Sequence, residues 1–504
     1  MAIPIFKEDS IMLKSWKSFF ASTLALGTIL APSSIYAQTP TEAPSGAYSP
    51  PQGKQALTHM KTTAPIRAQA GKRHGVRGPI NPNYKMNVSY DSNQHIIKGK
   101  LSVTFTNNIG IPLHEVYFNL WGNDAGFREN GGGMDVQNVK VNGQATSFQI
   151  KATALHIPHV KLPQRKKSTV SMDFTVHVPK GQDRFGWDGQ TVSLGNWFPI
   201  LAVYDDEGWN VDPYFPYGES FYSLTSNFDV TVTTDKKQVI ATTGTEIGRP
   251  IIKGGLATHR YIAKNVRDFA MEMNPNYKVI SSTVNHVKVN VYYAEEHAKF
   301  SQDLLQSGVD SIKLFSEKFG AYPWPELDVV SMRGWFGGME YPQLVMISLR
   351  DSATPAWVRS VNAHEIGHQW FYGIIGNNEY DEAWLDESFA TYSAALYDKE
   401  LDQLTAEPVS GYHLSSPVSD FTAHGKEGIN AYYDMIYDYG SRTLNDLRKL
   451  LGDEQFYASM QTYFKEKKFG ITTTKDFIRI MEETNGRDLD KFFEEHLVFV
   501  SDQE

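Results

Sequence analysis

In Val361-Asn362-Ala363-His364-Glu365-Ile366-Gly367-His368-Gln369-Trp370, two histidines stand four residues apart with a glutamate directly after the first. On a helix, positions four apart are separated by about 40° around the axis, so both imidazoles leave from one face. That arrangement fixes a polar point around which the rest of the chain must fold. Two ring nitrogens converging there suit a tetrahedral ion held about 2.0–2.1 Å from each. Glu365 is placed beside the first ligand, where it can take a proton from a metal-activated water. Upstream, Ser352-Ala353-Thr354-Pro355 supplies a cap residue and a proline at the first helical position, so a helix is expected to begin there.

A tetrahedral ion needs a third protein ligand. Eighteen residues separate His368 from Glu387, which lies in Trp384-Leu385-Asp386-Glu387-Ser388-Phe389-Ala390. Gly373 and Gly376-Asn377-Asn378 break the chain between them, which lets a second helix fold back and turn Glu387 toward the ion. Leu385, Phe389 and Tyr392 would then pack the opposite side of that helix. The competing reading is a pair of ordinary core histidines at 364 and 368. Cysteine is absent from the sequence, so disulfides, thiolate catalysis and thiolate ligands are excluded. The expected cofactor is one Zn2+ per chain on His364, His368 and Glu387.

With 504 residues, about two to four domains fit. The formal net charge of −9 gives no electrostatic footprint for nucleic acid. Near the start, Leu13-Lys14-Ser15-Trp16-Lys17 is followed by a largely apolar stretch from Phe19 to Ala31 and then by Ser33-Ser34-Ile35-Tyr36-Ala37. This three-part pattern reads as a signal peptide over 1–37, cleaved between Ala37 and Gln38. Its apolar run is broken by Ser22, Thr23, Gly27 and Thr28 and is shorter than the roughly 20 residues of a span. The mature chain is therefore expected to be exported, periplasmic or extracellular, without an integral membrane span.

Residues 38–83 are rich in Pro, Ala, Thr, Ser and Gly and lack apolar periodicity, so they read as a linker. From Tyr84 the period is two: Leu101, Val103 and Phe105, then Phe228, Val230 and Val232, then Val287, Val289 and Val291 alternate with polar neighbours. After Ala294 the spacing of Leu305, Val309, Ile312 and Phe315 is helical, from about Glu295 to Phe319. Leu327 to Val330 reads as a strand, and beyond Pro355 nearly everything reads as helix. The layout is α+β: an N-terminal antiparallel β domain at 84–290 followed by a mostly helical catalytic domain at 291–504.

His364-Glu365-x-x-His368, eighteen residues and Glu387 resemble the signature of gluzincin zinc aminopeptidases of the aminopeptidase N type, here a short, two-domain, bacterial-like member. Gly337-Gly338-Met339-Glu340-Tyr341 resembles the family's Gly-x-Met-Glu-Asn motif, and Ile436-Tyr437-Asp438-Tyr439-Gly440 resembles its Tyr-x-Lys-Gly segment. The resemblance implies a thermolysin-like catalytic domain and peptide substrates with a free N-terminus. It implies that Glu340 binds the substrate ammonium, that Tyr437 stabilises the oxyanion, and that Gly337 and Gly338 leave room for substrate backbone. Tyr341 departs from the motif's Asn, and Tyr439 departs from its Lys. Relatives usually add a second amine-binding Gln or Glu from the β domain, and Gln190, upstream of Trp197-Phe198-Pro199, is the candidate here. The function expected is hydrolysis of the N-terminal peptide bond. A zinc endopeptidase, an epoxide hydrolase as in one branch of the family, and a non-catalytic peptide-binding module on the same fold are the alternatives.

Overall fold

Alternating apolar residues build the first half. Leu101, Val103, Phe105, Phe228, Val230 and Val232 are all buried, and their polar neighbours face outward. The computed structural model describes residues 80–497, so the expected signal at 1–37 and the lead-in up to residue 79 lie outside the described residues. The largest sheet has nine strands, with Ile80–Asp91, Ile96–Thr106, Lys167–His177, Ser226–Asp235 and Leu256–Val266 as its long members. Its pairings are antiparallel except for Ile80–Asp91 against Ser226–Asp235, which is parallel. These two strands are far apart in sequence, so the tight hairpin that enforces antiparallel pairing is absent. Residues 80–83, expected in the linker, open the first strand. The register shifts between Ile80 and Asn83, and Asn81 has φ 53°, so the strand bulges around Pro82 instead of ending there.

A second sheet of five strands runs in the order Lys278–Val284, Val287–Tyr293, Glu326–Met332, Leu344–Ser348 and Gly338–Met339. Asn290 lies in the middle of one of its strands. Two of its pairings are parallel, and parallel neighbours need a crossover connection. The helix Ser301–Lys318, entered through the 3-10 turn Glu295–Phe300, supplies the first crossover. The short strand Gly338–Met339 ends the sheet and leaves one backbone edge unpaired within it.

Beyond Pro355 the described chain is helical apart from its connections. No helix among the described residues is long and apolar enough to cross a membrane. A buried arginine clasps three distant segments. Arg267 donates from Nε to the Tyr372 carbonyl at 2.6 Å, from Nη1 to the Ser223 carbonyl at 2.9 Å, and from Nη2 to the Gly470 carbonyl. Burial lowers its pKa to about 10, which leaves it charged at neutral pH. Arg267→Met strands the Tyr372 and Ser223 carbonyls, each at about 1–3 kcal/mol, whereas the Gly470 carbonyl keeps the Gly376 N–H at 3.1 Å. We expect unfolding free energy to fall by about 2–6 kcal/mol, read from urea denaturation. An unchanged midpoint would show that the clasp carries no stability.

Candidate active site

The helix Pro355–Gly367 starts as its sequence requires: the Thr354 side chain accepts from the Trp357 N–H at 3.2 Å, and Pro355 occupies the first turn. It carries His364 in its last turn, and His368 caps it in helical geometry with φ −62° and ψ −18°. The helix Trp384–Asp398 folds back against it, with Asp386 and Glu387 in a first turn whose dipole favours negative charge. Leu385, Phe389 and Tyr392 are buried on this helix, as expected.

The three expected ligands converge. His368 Nε2 lies 3.1 Å from His364 Nε2, and Glu387 Oε2 lies 3.3 Å and 3.2 Å from those two atoms. A tetrahedral ion with bonds of about 2.0–2.1 Å has ligand atoms about 3.3–3.4 Å apart, so the triangle has the size zinc requires. Glu387 Oε2 is buried and has the two ring nitrogens as its polar neighbours, the surroundings of an oxygen that can share a cation with them. Burial opposes charge on Glu387, but the His368 charge and the contacts with both imidazoles outweigh it and hold the carboxyl well below its usual range. Burial pushes the His364 pKa down to about 4, so its ring is neutral at pH 7. At His368 burial opposes charge, but Glu340, Glu387 and Glu365 outweigh it and raise the ring well above the usual imidazole range, so a bound cation would have to displace that proton.

Glu365 and Glu340 stand beside this triangle. Each offers an oxygen that, with a nitrogen of His368, forms a group whose members lie within 4.8 Å of one another. Burial raises Glu365 to about 8 and moves Glu340 well above the usual carboxylate range. The main chain comes close to this carboxylate: a Cβ on Gly338 would sit 2.3 Å from Glu365 Oε1. Gly338 pairs with Ile347 on one side only, and the Gly337 carbonyl accepts from the Ser348 N–H at 2.9 Å. The Gly337–Met339 stretch thus presents a sheet edge beside Glu340.

Tyr437 reaches the same centre, and its hydroxyl donates to Glu387 Oε1. It belongs to a π-helical turn, Tyr433–Tyr439, whose wider winding is common at functional sites and has no signature in apolar spacing. Ser388, next to Glu387, donates to the Ile436 carbonyl at 2.5 Å and joins this turn to the ligand-bearing helix. Tyr439 turns away and stacks on His496, with ring centroids 6.2 Å apart.

Gln190 does not reach the site. It is exposed, and its Oε1 accepts from Asn276. The sequence reading missed the group that the β half does bring near, the buried ion pair of Arg184 with Glu219. Arg184 Nη1 also lies 3.4 Å from Met339 Sδ, and burial raises Glu219 to about 7. Among these residues, only the unusual burial of a Glu marks it, and burial is not visible in sequence.

A β half followed by a helix bearing His-Glu-x-x-His, with the third ligand on the next helix, defines the gluzincin class of metallopeptidase fold. Residues 304–496 match the Peptidase family M1 domain. The chain is 28% identical over 229 residues to Aminopeptidase M1-B of Oryza sativa subsp. japonica, covering 41% of this chain and 26% of that protein. It is 27% identical over 244 residues to Aminopeptidase N of Lactococcus lactis subsp. lactis (strain IL1403), covering 42% and 28%. With Endoplasmic reticulum aminopeptidase 2 of Homo sapiens the identity is 24% over 359 residues, covering 64% and 36%. The matches therefore span about a quarter to a third of these relatives' lengths. A mutant of the M1 zinc metallopeptidase from Deinococcus radiodurans has the same fold, with a TM-score of 0.59 at 16% identity, covering 84% of this chain and 94% of that one. The stretch that matches the Peptidase family M1 domain, residues 304–496, contains all of the His364, His368 and Glu387 triangle.

The packing at Gly440 gives a test whose sign is informative. Gly to Ala inside a helix ordinarily gains about 1 kcal/mol. Here a Cβ would lie 1.9 Å from Ser388 Oγ, between the Tyr437 turn and the Glu387 helix. Gly440→Ala should instead lose about 1–3 kcal/mol by overpacking, measured by thermal unfolding. A rise in melting temperature would contradict the packing described.

Proposed function

We propose that this chain is a zinc aminopeptidase that removes the N-terminal residue from peptides. The observation that carries this reading is the adjacency of two groups: a zinc-sized ligand triangle, and a buried carboxylate, Glu340, within a few ångströms of the base Glu365. His364, His368 and Glu387 would hold the zinc, which when bound supplies a Lewis acid for water and for the scissile carbonyl. Glu365 takes the proton from the attacking water and passes it to the leaving amine. Glu340 holds the substrate's α-ammonium through charge-assisted hydrogen bonds, which sets the distance from the chain end to the base. The edge at Gly337–Met339 receives the substrate backbone as an added strand. Tyr437, already at the Glu387 carboxylate, donates its proton to the developing oxyanion.

Charge supports the same reading. Glu340, Glu365 and Glu387 are all buried near one point, with Glu219 beside them already paired to Arg184, and a dication together with a substrate ammonium are the guests that neutralise the three. The export pattern at 1–37 supports a mature chain starting at Gln38 and acting outside the cytoplasm.

The parent protein should bind one zinc per chain, and His364→Ala should bind almost none by elemental analysis. Glu365→Gln should keep the metal but lose about 10²–10⁴-fold in kcat; full turnover in that variant refutes the assignment of the base. Peptides with a free N-terminus should be cleaved one residue at a time, and their N-acetylated counterparts should resist. Equal cleavage of both would make the protein an endopeptidase.

A further inference from the structure

Pairing to the sheet ends at Met339, and Pro342 follows two residues after Glu340, so regular strand hydrogen bonding does not fix the Glu340 carboxylate. The backbone here is held from one side by Gln369, whose Nε2 donates to the Glu340 carbonyl at 3.0 Å and to the Tyr341 carbonyl at 3.1 Å. On the other side the holding group is the Tyr341 side chain. Tyr341 is fully buried, and its hydroxyl donates to Asn196 Oδ1 at 2.8 Å in the β half. Asn196 Nδ2 donates to Asp268 Oδ1 at 3.1 Å, and Asp268 Oδ2 accepts from the Tyr372 hydroxyl. Tyr372 has φ 114°, a strained value for a side-chain-bearing residue, and it lies four residues after His368. The connection thus starts beside Glu340, enters the β half and returns to the loop that leaves the ligand-bearing helix.

The β half is shaped to receive this phenol. A Cβ at Gly195 would lie 1.9 Å from the Tyr341 hydroxyl oxygen and 2.5 Å from Cζ, so only glycine leaves the space. An Asn at position 341, as in the family motif, has too short a side chain to fill this slot. Packing alone would be served by a phenylalanine. A fully buried hydroxyl with a directed partner is a geometric constraint, since leaving that partner unpaired costs free energy.

Resting on the reading of Glu340 as the ammonium ligand, we infer that Tyr341, seated over Gly195 and bonded to Asn196, is a positioning residue that sets the place of the Glu340 carboxylate for the substrate's N-terminus. Its loss therefore acts on recognition of the free amine more than on the chemical step.

The test uses the full zinc-loaded enzyme and an aminoacyl anilide. Tyr341→Phe keeps the ring and removes one hydrogen bond. It should raise KM about fivefold, the equivalent of one net hydrogen bond, with kcat nearly unchanged and zinc content unchanged. Gly195→Ala should expel the phenol and give the same rise in KM, and should add nothing in the Tyr341→Asn background. If Tyr341→Phe lowers only the melting temperature, or if Gly195→Ala costs as much in the Tyr341→Asn background as alone, the positioning role is overturned. Glu340→Ala separates the two levels: no change in KM there overturns both the ammonium reading and this inference. A large change there, with none in Tyr341→Phe or Gly195→Ala, overturns the inference alone.

Discussion

Three lone pairs aimed at one point inside a protein repel one another unless a cation stands between them. His364 Nε2, His368 Nε2 and Glu387 Oε2 meet at 3.1–3.3 Å, and all three residues are almost fully buried. Much of the helical half follows from holding them there. The Thr354 cap and Pro355 fix where the first helix begins. The break after His368 lets the second helix return, and the Ser388 bond to the Ile436 carbonyl brings the π-helical turn with Tyr437 against it. Each device is local, but together they fix the ligand-bearing helices relative to one another, as preorganisation requires.

The β half contributes more than a support. Arg267 ties a β-half carbonyl to carbonyls of the loop after His368 and of the C-terminal helical region. Arg184, paired with Glu219, reaches Met339, the residue before Glu340. One of these links, from Arg184, reaches the segment that carries Glu340. The segment that carries Glu340 is contacted from both halves, whereas the triangle of His364, His368 and Glu387 is built from the helical half alone.

The convergence of His364, His368 and Glu387 was legible because it obeys helix arithmetic: four residues for the two imidazoles, and a breakable loop before the carboxylate. Strands were legible where alternation was clean, as at Leu101, Val103 and Phe105, and the helix after Ala294 was legible from its spacing. What was hidden depends on tertiary contact. Pro82 reads as a breaker, yet a bulge at Asn81 carries the strand past it. The π turn of Tyr433–Tyr439 has no periodic signal of its own. Gln190 was suggested by its position upstream of Trp197-Phe198-Pro199, but an exposed bond to Asn276 takes it elsewhere, while Glu219 lies near the centre through folding alone. Tyr341 was visible as a departure from a motif, and only the slot over Gly195 gives that departure a meaning.

The central claim is that zinc sits among two imidazoles and one carboxylate. X-ray absorption at the zinc edge, recorded on purified active protein, tests it directly. The account predicts imidazole scattering and a first shell of nitrogen and oxygen at about 2.0–2.1 Å. Active protein without zinc, or zinc whose shell lacks imidazole scattering, would contradict it.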